Sequence, residues 1–105
     1  MKKRISIITL LFTVASFAQL IEPEYEIQNN LIKATYYYDN GKIMQEGFYK
    51  DGKVHGKWIS YTKEGNELVT GQYESGQKVG TWIFKENGVI AQVNYNDNRL
   101  VNLKK

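Results

Sequence analysis

Residues 46–58 read EGFYKDGKVHGKW, and residues 70–82 read TGQYESGQKVGTW. Between the two stretches Gly47 recurs as Gly71, a displacement of 24 positions, and the other glycines, a tyrosine and the final tryptophan recur at the same displacement. Self-similarity at a fixed period is the sequence signature of a repeat architecture. The chain of 105 residues therefore has room for one small domain built from such copies.

A third, drifted copy follows Trp82. Gly88 comes one residue early, Tyr95 two residues early, and Asn98 stands in a glycine position. All nine glycines of the chain then fall into repeat positions. We predict structural roles for Gly41, Gly47, Tyr49, Gly52, Gly56, Trp58, Gly65, Gly71, Tyr73, Gly76, Gly80, Trp82, Gly88 and Tyr95.

Each copy reads as strand, turn, strand, turn. The pair Asn40-Gly41 lies between apolar-aromatic runs and predicts a type I′ hairpin turn, because both residue types tolerate positive φ. The intervening segments are rich in β-branched and aromatic residues, as strands are. We predict an all-β fold, a single-layer antiparallel meander of stacked β-hairpin repeats with about seven strands: Thr35–Tyr38, Ile43–Tyr49, Lys57–Tyr61, Glu67–Tyr73, Thr81–Phe84, Val89–Tyr95 and Leu100–Leu103.

Two glycines, Gly47 and Gly71, lie inside predicted strands, where glycine costs roughly 0.5–1 kcal/mol relative to alanine. We expect a ring from a neighbouring strand, Trp58 or Trp82, to lie over this bare backbone. Trp58-Ile59 and Trp82-Ile83 also place apolar residues on opposite faces. The aromatic residues thus have two interpretations, packing within the sheet or a surface that stacks sugars, peptides or a partner protein.

The run from Glu46 to Trp58 resembles the MORN-repeat variant, whose pattern is roughly G-x-Y-x-x-G-x-x-x-G-x-W. Residues 36–99 are covered, and the chain is also similar to small bacterial antitoxin-type repeat proteins of the YwqK kind. The resemblance implies a single-layer sheet of stacked hairpins and an interaction or scaffold module, with no catalytic residue set. The third copy departs from the pattern near Val93 and Asn98, as terminal capping repeats often do.

The first residues have the features of an export signal. Residues 1–19 read MKKRISIITLLFTVASFAQ, with a positive start, an apolar run and small residues at Ser16 and Ala18. We predict a Sec-type signal peptide of residues 1–18 and a periplasmic or extracellular protein. The alternative is an uncleaved membrane anchor, but the apolar run is shorter than the about 20 residues that a span needs.

Charge and composition exclude several partner and site classes. The full chain carries 14 Lys and Arg against 11 Asp and Glu, and the signal holds three of these bases and no acid, so the mature chain is neutral. We therefore expect no nucleic-acid partner and, after cleavage, no stable membrane anchor. Absent cysteine excludes disulfides and thiolate sites, and a single histidine excludes a metal site of several imidazoles.

Residues 19–33 precede the repeat domain, which we assign to residues 34–105. This segment holds the one proline and several acids, with some apolar residues. It can be a linker, a short helix at Ile27–Lys33, or a cap over the first strand edge.

His55 is the one candidate imidazole base, and its counterpart in the next copy is Val79. We interpret it as a solvated turn residue whose replacement by alanine changes stability by no more than about 0.5 kcal/mol. We predict no enzyme activity and no catalytic, cofactor-binding or metal site. The predicted function is an exported, non-catalytic module that binds a protein partner, with self-association possible. The alternative is the antitoxin of a toxin–antitoxin pair.

Overall fold

A computed structural model describes the backbone of residues 3–6 and 21–104 and the side chains of residues 21–100. In this part of the chain every regular element is a strand, and no helix is long and apolar enough to cross a membrane. The strands are β1 (Lys3–Ser6), β2 (Glu24–Gln28), β3 (Leu31–Tyr37), β4 (Ile43–Lys50), β5 (Lys53–Tyr61), β6 (Glu67–Glu74), β7 (Gln77–Glu86), β8 (Val89–Asn96) and β9 (Arg99–Lys104).

The strands form one open sheet in chain order, and every neighbouring pair is antiparallel. The predicted all-β, single-layer meander is confirmed, and the seven predicted strands correspond to β3–β9. Two further strands, β1 and β2, precede them. Of the predicted signal only Lys3–Ser6 are described, and the rest of it, with the Ser16–Ala18 cleavage site, lies outside the described residues.

The segment before the repeats extends the sheet. β2 and β3 are joined by a tight turn in which Asn29 has φ 58°, so the helix considered for Ile27–Lys33 is instead strand, turn and strand. The boundary that we placed at residue 34 falls within β3. Glu24 to Gln28 pair with Thr35 to Leu31, and their side chains alternate between the two faces of the sheet. This acidic segment is therefore a strand of the sheet.

Two kinds of turn connect the strands. The tight two-residue turns that follow β4, β6, β7 and β8 have positive φ at both central residues, as at Asp51-Gly52 (51° and 79°) and Asn87-Gly88 (51° and 79°), which type I′ requires. The turn predicted at Asn40-Gly41 is different, because only Gly41 has positive φ and a longer loop closes with the Tyr38 amide donating to the Lys42 carbonyl. A tight turn replaces this longer loop between β7 and β8, which accounts for the early position of Gly88.

The buried residues of the described chain lie in one row across the sheet. Ala34 faces Gly47, Trp58 faces Gly71, and Trp82 faces Val93 in the strand register. Apart from the glycines, these are the buried hydrophobic residues of the described chain, and both tryptophans are 5% exposed. The row therefore crosses six consecutive strands with one residue from each: Ala34, Gly47, Trp58, Gly71, Trp82 and Val93.

The contact predicted between tryptophan and strand glycine is present in both copies. A methyl group built on Gly47 would overlap the indole of Trp58, and one on Gly71 would overlap the indole of Trp82. Each ring thus lies flat on the backbone of the preceding strand, where only glycine leaves room. The indole nitrogen of Trp58 also donates to the Phe48 carbonyl at 3.0 Å.

The third copy needs no such glycine. Val93 occupies the glycine position of the row, and β9 places Leu103, not a tryptophan, at the opposing register position. With no following indole to accommodate, a β-branched residue fits there and strengthens the strand. The departure near Val93 thus follows from where the tryptophans end.

A double-mutant cycle on Gly71 and Trp82 tests this packing. We expect Trp82→Ala to lower the free energy of unfolding by about 3–5 kcal/mol, and Gly71→Ala by at least about 2 kcal/mol, because the new methyl displaces the ring. In the Trp82→Ala background the sign of Gly71→Ala reverses, because alanine without a covering ring stabilises a strand by roughly 0.5–1 kcal/mol. Denaturant melts of the four proteins measure the coupling; additive effects would contradict the contact.

Candidate interaction surface

Strand alternation divides the side chains between two faces of the sheet. The first face carries Trp58 and Trp82, and the second face carries the residues that follow them, Ile59 and Ile83. These two isoleucines flank Thr70 in one cross-strand row, since Ile59 pairs with Thr70 and Thr70 with Ile83. Because the described chain forms a single layer, no second sheet covers either face.

The first face is packed by its own rings. Trp58 lies edge-on to Tyr49 and Tyr73 at centroid distances of 5.4 and 6.3 Å, and Trp82 lies edge-on to Tyr73 and Tyr95 at 5.1 and 5.9 Å. Such T-shaped pairs contribute about 0.5–1.5 kcal/mol each beyond the area they bury. The rings therefore pack against one another across the strands, in agreement with the first interpretation of the aromatic residues, packing within the sheet.

Phenol hydroxyls continue this packing toward the amino-terminal strands. The hydroxyls of Tyr36 and Tyr49 share a hydrogen bond at 2.9 Å, and the ring of Tyr25 lies edge-on to that of Tyr36 at 6.3 Å. Burial, and then the bond to Tyr49, raises the pKa of Tyr36. Burial likewise raises the pKa of Tyr73. On the first face, burial thus favours the neutral phenols of Tyr36 and Tyr73.

The second face has a different character, with separated apolar groups and a charged rim. Phe48 and Ile59 are half-buried and line a shallow cavity of about 180 Å³. Lys33, Glu46 and Lys57 surround the same cavity. An apolar centre with a polar rim is the arrangement typical of protein–protein interfaces.

Glu46 organises the rim. Its carboxylate accepts a hydrogen bond from the Tyr61 hydroxyl at 2.6 Å, and the Lys33 ammonium lies 3.9 Å away. The bond to Glu46, followed by burial, raises the pKa of Tyr61 to about 12. Sequence reasoning missed this pair because the 24-residue period does not preserve it: Glu46 and Tyr61 correspond to Thr70 and Lys85.

His55 is not the solvated turn residue that we predicted. It lies in β5, is half-buried, and its Nδ1 accepts a hydrogen bond from the Ser75 amide at 3.2 Å. Ser75 has φ 50° in the tight turn between β6 and β7, so the imidazole secures the turn of the next copy. Such a bond contributes about 0.5–1.5 kcal/mol, so the loss expected for His55→Ala lies at or above the limit of about 0.5 kcal/mol set from the sequence.

Other openings lie at the ends of the hairpins. One of them, of about 430 Å³, is lined by Thr62, Asn66, Glu67, Leu68, Lys85, Glu86, Asn87 and Gly88. The Lys85 ammonium there lies 3.6 Å from the Glu67 carboxylate, an exposed pair of little energetic weight. Among residues 3–6 and 21–104 no group of three His, Asp or Glu side chains is placed to hold a metal ion.

Comparisons of this chain with protein-family models, with curated proteins and with solved structures find no match. The resemblance to MORN-repeat variant proteins therefore rests on the residues quoted above.

Alkaline titration tests the Glu46–Tyr61 bond. The folded-state pKa of Tyr61 lies above the ordinary value of 10, so this phenol stabilises the fold below pH 10 and the contribution is lost as pH rises from 10 through 12. We expect Tyr61→Phe to be less stable at pH 8 and to lose less stability between pH 10 and 12. Denaturant melts at each pH provide the measurement.

Glu46→Gln is the matched variant, because glutamine keeps an acceptor oxygen without the charge. It should also lose less stability than the unchanged chain over the same range. Equal pH profiles for the three proteins would show that the Glu46–Tyr61 bond does not form.

Proposed function

We propose that the processed chain is an exported, non-catalytic repeat module that binds another protein through its second face. The observation that carries this proposal is the row in which Ile59 and Ile83 lie on either side of Thr70, half-buried and with no second sheet packed over them. Together with Phe48 they form the partner patch, which comprises Phe48, Ile59, Thr70 and Ile83.

The shape of this surface favours a protein over a small molecule. Small-molecule sites are concave and bury most of their ligand, whereas the cavity beside Phe48 is shallow and about 180 Å³ in volume. Charged groups of both signs, Lys33, Lys57 and Glu46, stand around it. A partner with apolar side chains and a mixed-charge rim complements such a surface.

The resemblance to the MORN-repeat variant agrees with this role, since it implies an interaction or scaffold module. Export is supported by the pattern of residues 1–18, with Lys2, Lys3 and Arg4 before an apolar run and Ala18 at the cleavage position. Once those bases are removed the chain is neutral, which favours recognition by shape and apolar contact over long-range electrostatic attraction.

Partner binding is tested by Ile59→Thr combined with Ile83→Thr. Threonine already occupies Thr70 in this row and retains β-propensity, so the fold should persist. The partner is identified by crosslinking in exporting cells and then purified. We expect the double variant to weaken its Kd at least tenfold, a loss of about 1.4 kcal/mol, by isothermal titration calorimetry.

Val89→Thr is the matched control, because Val89 is 57% exposed and lies outside the partner patch. It should leave the Kd unchanged, and thermal melts should show all variants folded. Equal Kd values for the double variant and the unchanged chain would exclude the second face as the binding surface.

Signal cleavage is tested by amino-terminal sequencing of the protein recovered from cells that express the full gene. We expect Gln19 as the first residue, and retention of residues 1–18 when Ala18→Arg blocks the cleavage position. Recovery of the unprocessed chain in the cytoplasm would contradict export and favour the antitoxin alternative.

A further inference from the structure

At the amino-terminal end of the sheet, the short strand β1 pairs with the outer edge of β2. β2 pairs with β3 on one side and with β1 on the other, where Arg4 stands opposite Glu26 and Ile5 opposite Tyr25. β1 (Lys3–Ser6) belongs to the segment that we propose is removed on export. Processing therefore opens the β2 edge, whose backbone groups can accept a new strand.

Strand direction identifies a segment that fits this edge. All neighbouring strands are antiparallel, so β9 runs in the same direction as β1. Without β1 the sheet has eight strands, an even number. A second copy placed beside the first by translation along the sheet therefore continues the antiparallel order and keeps both faces aligned.

Charge and apolar pattern match as well. β2 carries Glu24 and Glu26, whereas β9 carries Arg99 and Lys104. Leu103 pairs with Val93 of the buried row and so belongs to the first face by register, as do Tyr25 and Ile27. A register that keeps the faces places Leu103 opposite one of the latter two residues.

The same register places Lys104 opposite Glu24 or Glu26. The register that matches β1 at Glu26, where Arg4 stands, places Lys104 opposite Glu26 and Leu103 opposite Ile27. Opposite charges that face each other across an antiparallel pair stabilise it beyond the backbone ladder.

We propose that the β2 edge of the processed chain accepts β9 of a second copy, and that residues 3–6 occupy this edge before processing. The interface is head-to-tail, so one copy offers a free β2 and the other a free β9, and the contact extends into linear assemblies. The inference rests on the proposed removal of residues 1–18. It adds to the proposed function a longer sheet in which successive partner patches are aligned.

The experiment uses a chain that begins at Gln19, so that its outcome does not depend on export. The buried row lies entirely in β3–β8, and a thermal melt checks that this chain folds. Analytical ultracentrifugation should show assemblies that grow with protein concentration. Peptides of residues 1–7 and 99–105 should each reduce them, whereas scrambled versions of the same composition should not.

Charge reversal supplies the decisive comparison. Glu26→Lys gives β2 a basic residue opposite the basic β9, and Lys104→Glu gives β9 an acidic residue opposite the acidic β2. Each variant alone should therefore associate at least tenfold more weakly. An equimolar mixture should recover assembly, because the basic β2 of one variant meets the altered β9 of the other.

A monomeric chain at all concentrations, or variants that assemble as the unchanged chain does, would overturn the proposal. Assembly that is insensitive to both peptides would do so too, since it would place the contact elsewhere. Each of these outcomes leaves the test of the partner patch unaffected, because that test measures binding to a different protein.

Discussion

The fold depends on an indole ring lying flat against a strand backbone. Trp58 covers Gly47 and Trp82 covers Gly71, and in each pair the glycine is required because a methyl group would overlap the ring. A single-layer sheet has no opposing layer to bury its side chains, so burial has to come from within the layer. Each indole ring is buried by packing against the backbone of the neighbouring strand, which takes the place of an opposing layer.

This packing explains how a cysteine-free chain of this size forms a sheet in which residues 21–100 contain a single buried row. Tyr49, Tyr73 and Tyr95 pack their edges against the tryptophans, so each copy is completed by rings from the next. Stability in such repeats is shared between neighbours, and no copy is expected to fold alone. On the first face the rings pack against one another, whereas the apolar residues of the second face are half-buried and have no second sheet packed over them.

At both ends of the repeat array, the buried row departs from the tryptophan–glycine pattern of the central copies. At the carboxyl end Val93 replaces the glycine because no tryptophan follows. At the amino end Ala34 occupies the tryptophan position, and the small side chain packs in the buried row beside Gly47. The row therefore ends in side chains of modest size, and the sheet continues past it through β2 and β9, whose outer positions carry opposite charges.

Sequence alone determined the repeat, the strands β3–β9 and the contact between tryptophan and glycine, because glycine inside a strand is costly and demands a local cause. Only the tertiary structure showed β2, the turn-securing role of His55 and the bond between Glu46 and Tyr61. These depend on which residues face each other across the register, and the repeat does not preserve them. Local propensity and period are encoded along the chain, whereas cross-strand partners follow from the bulges and turn lengths that fix the register.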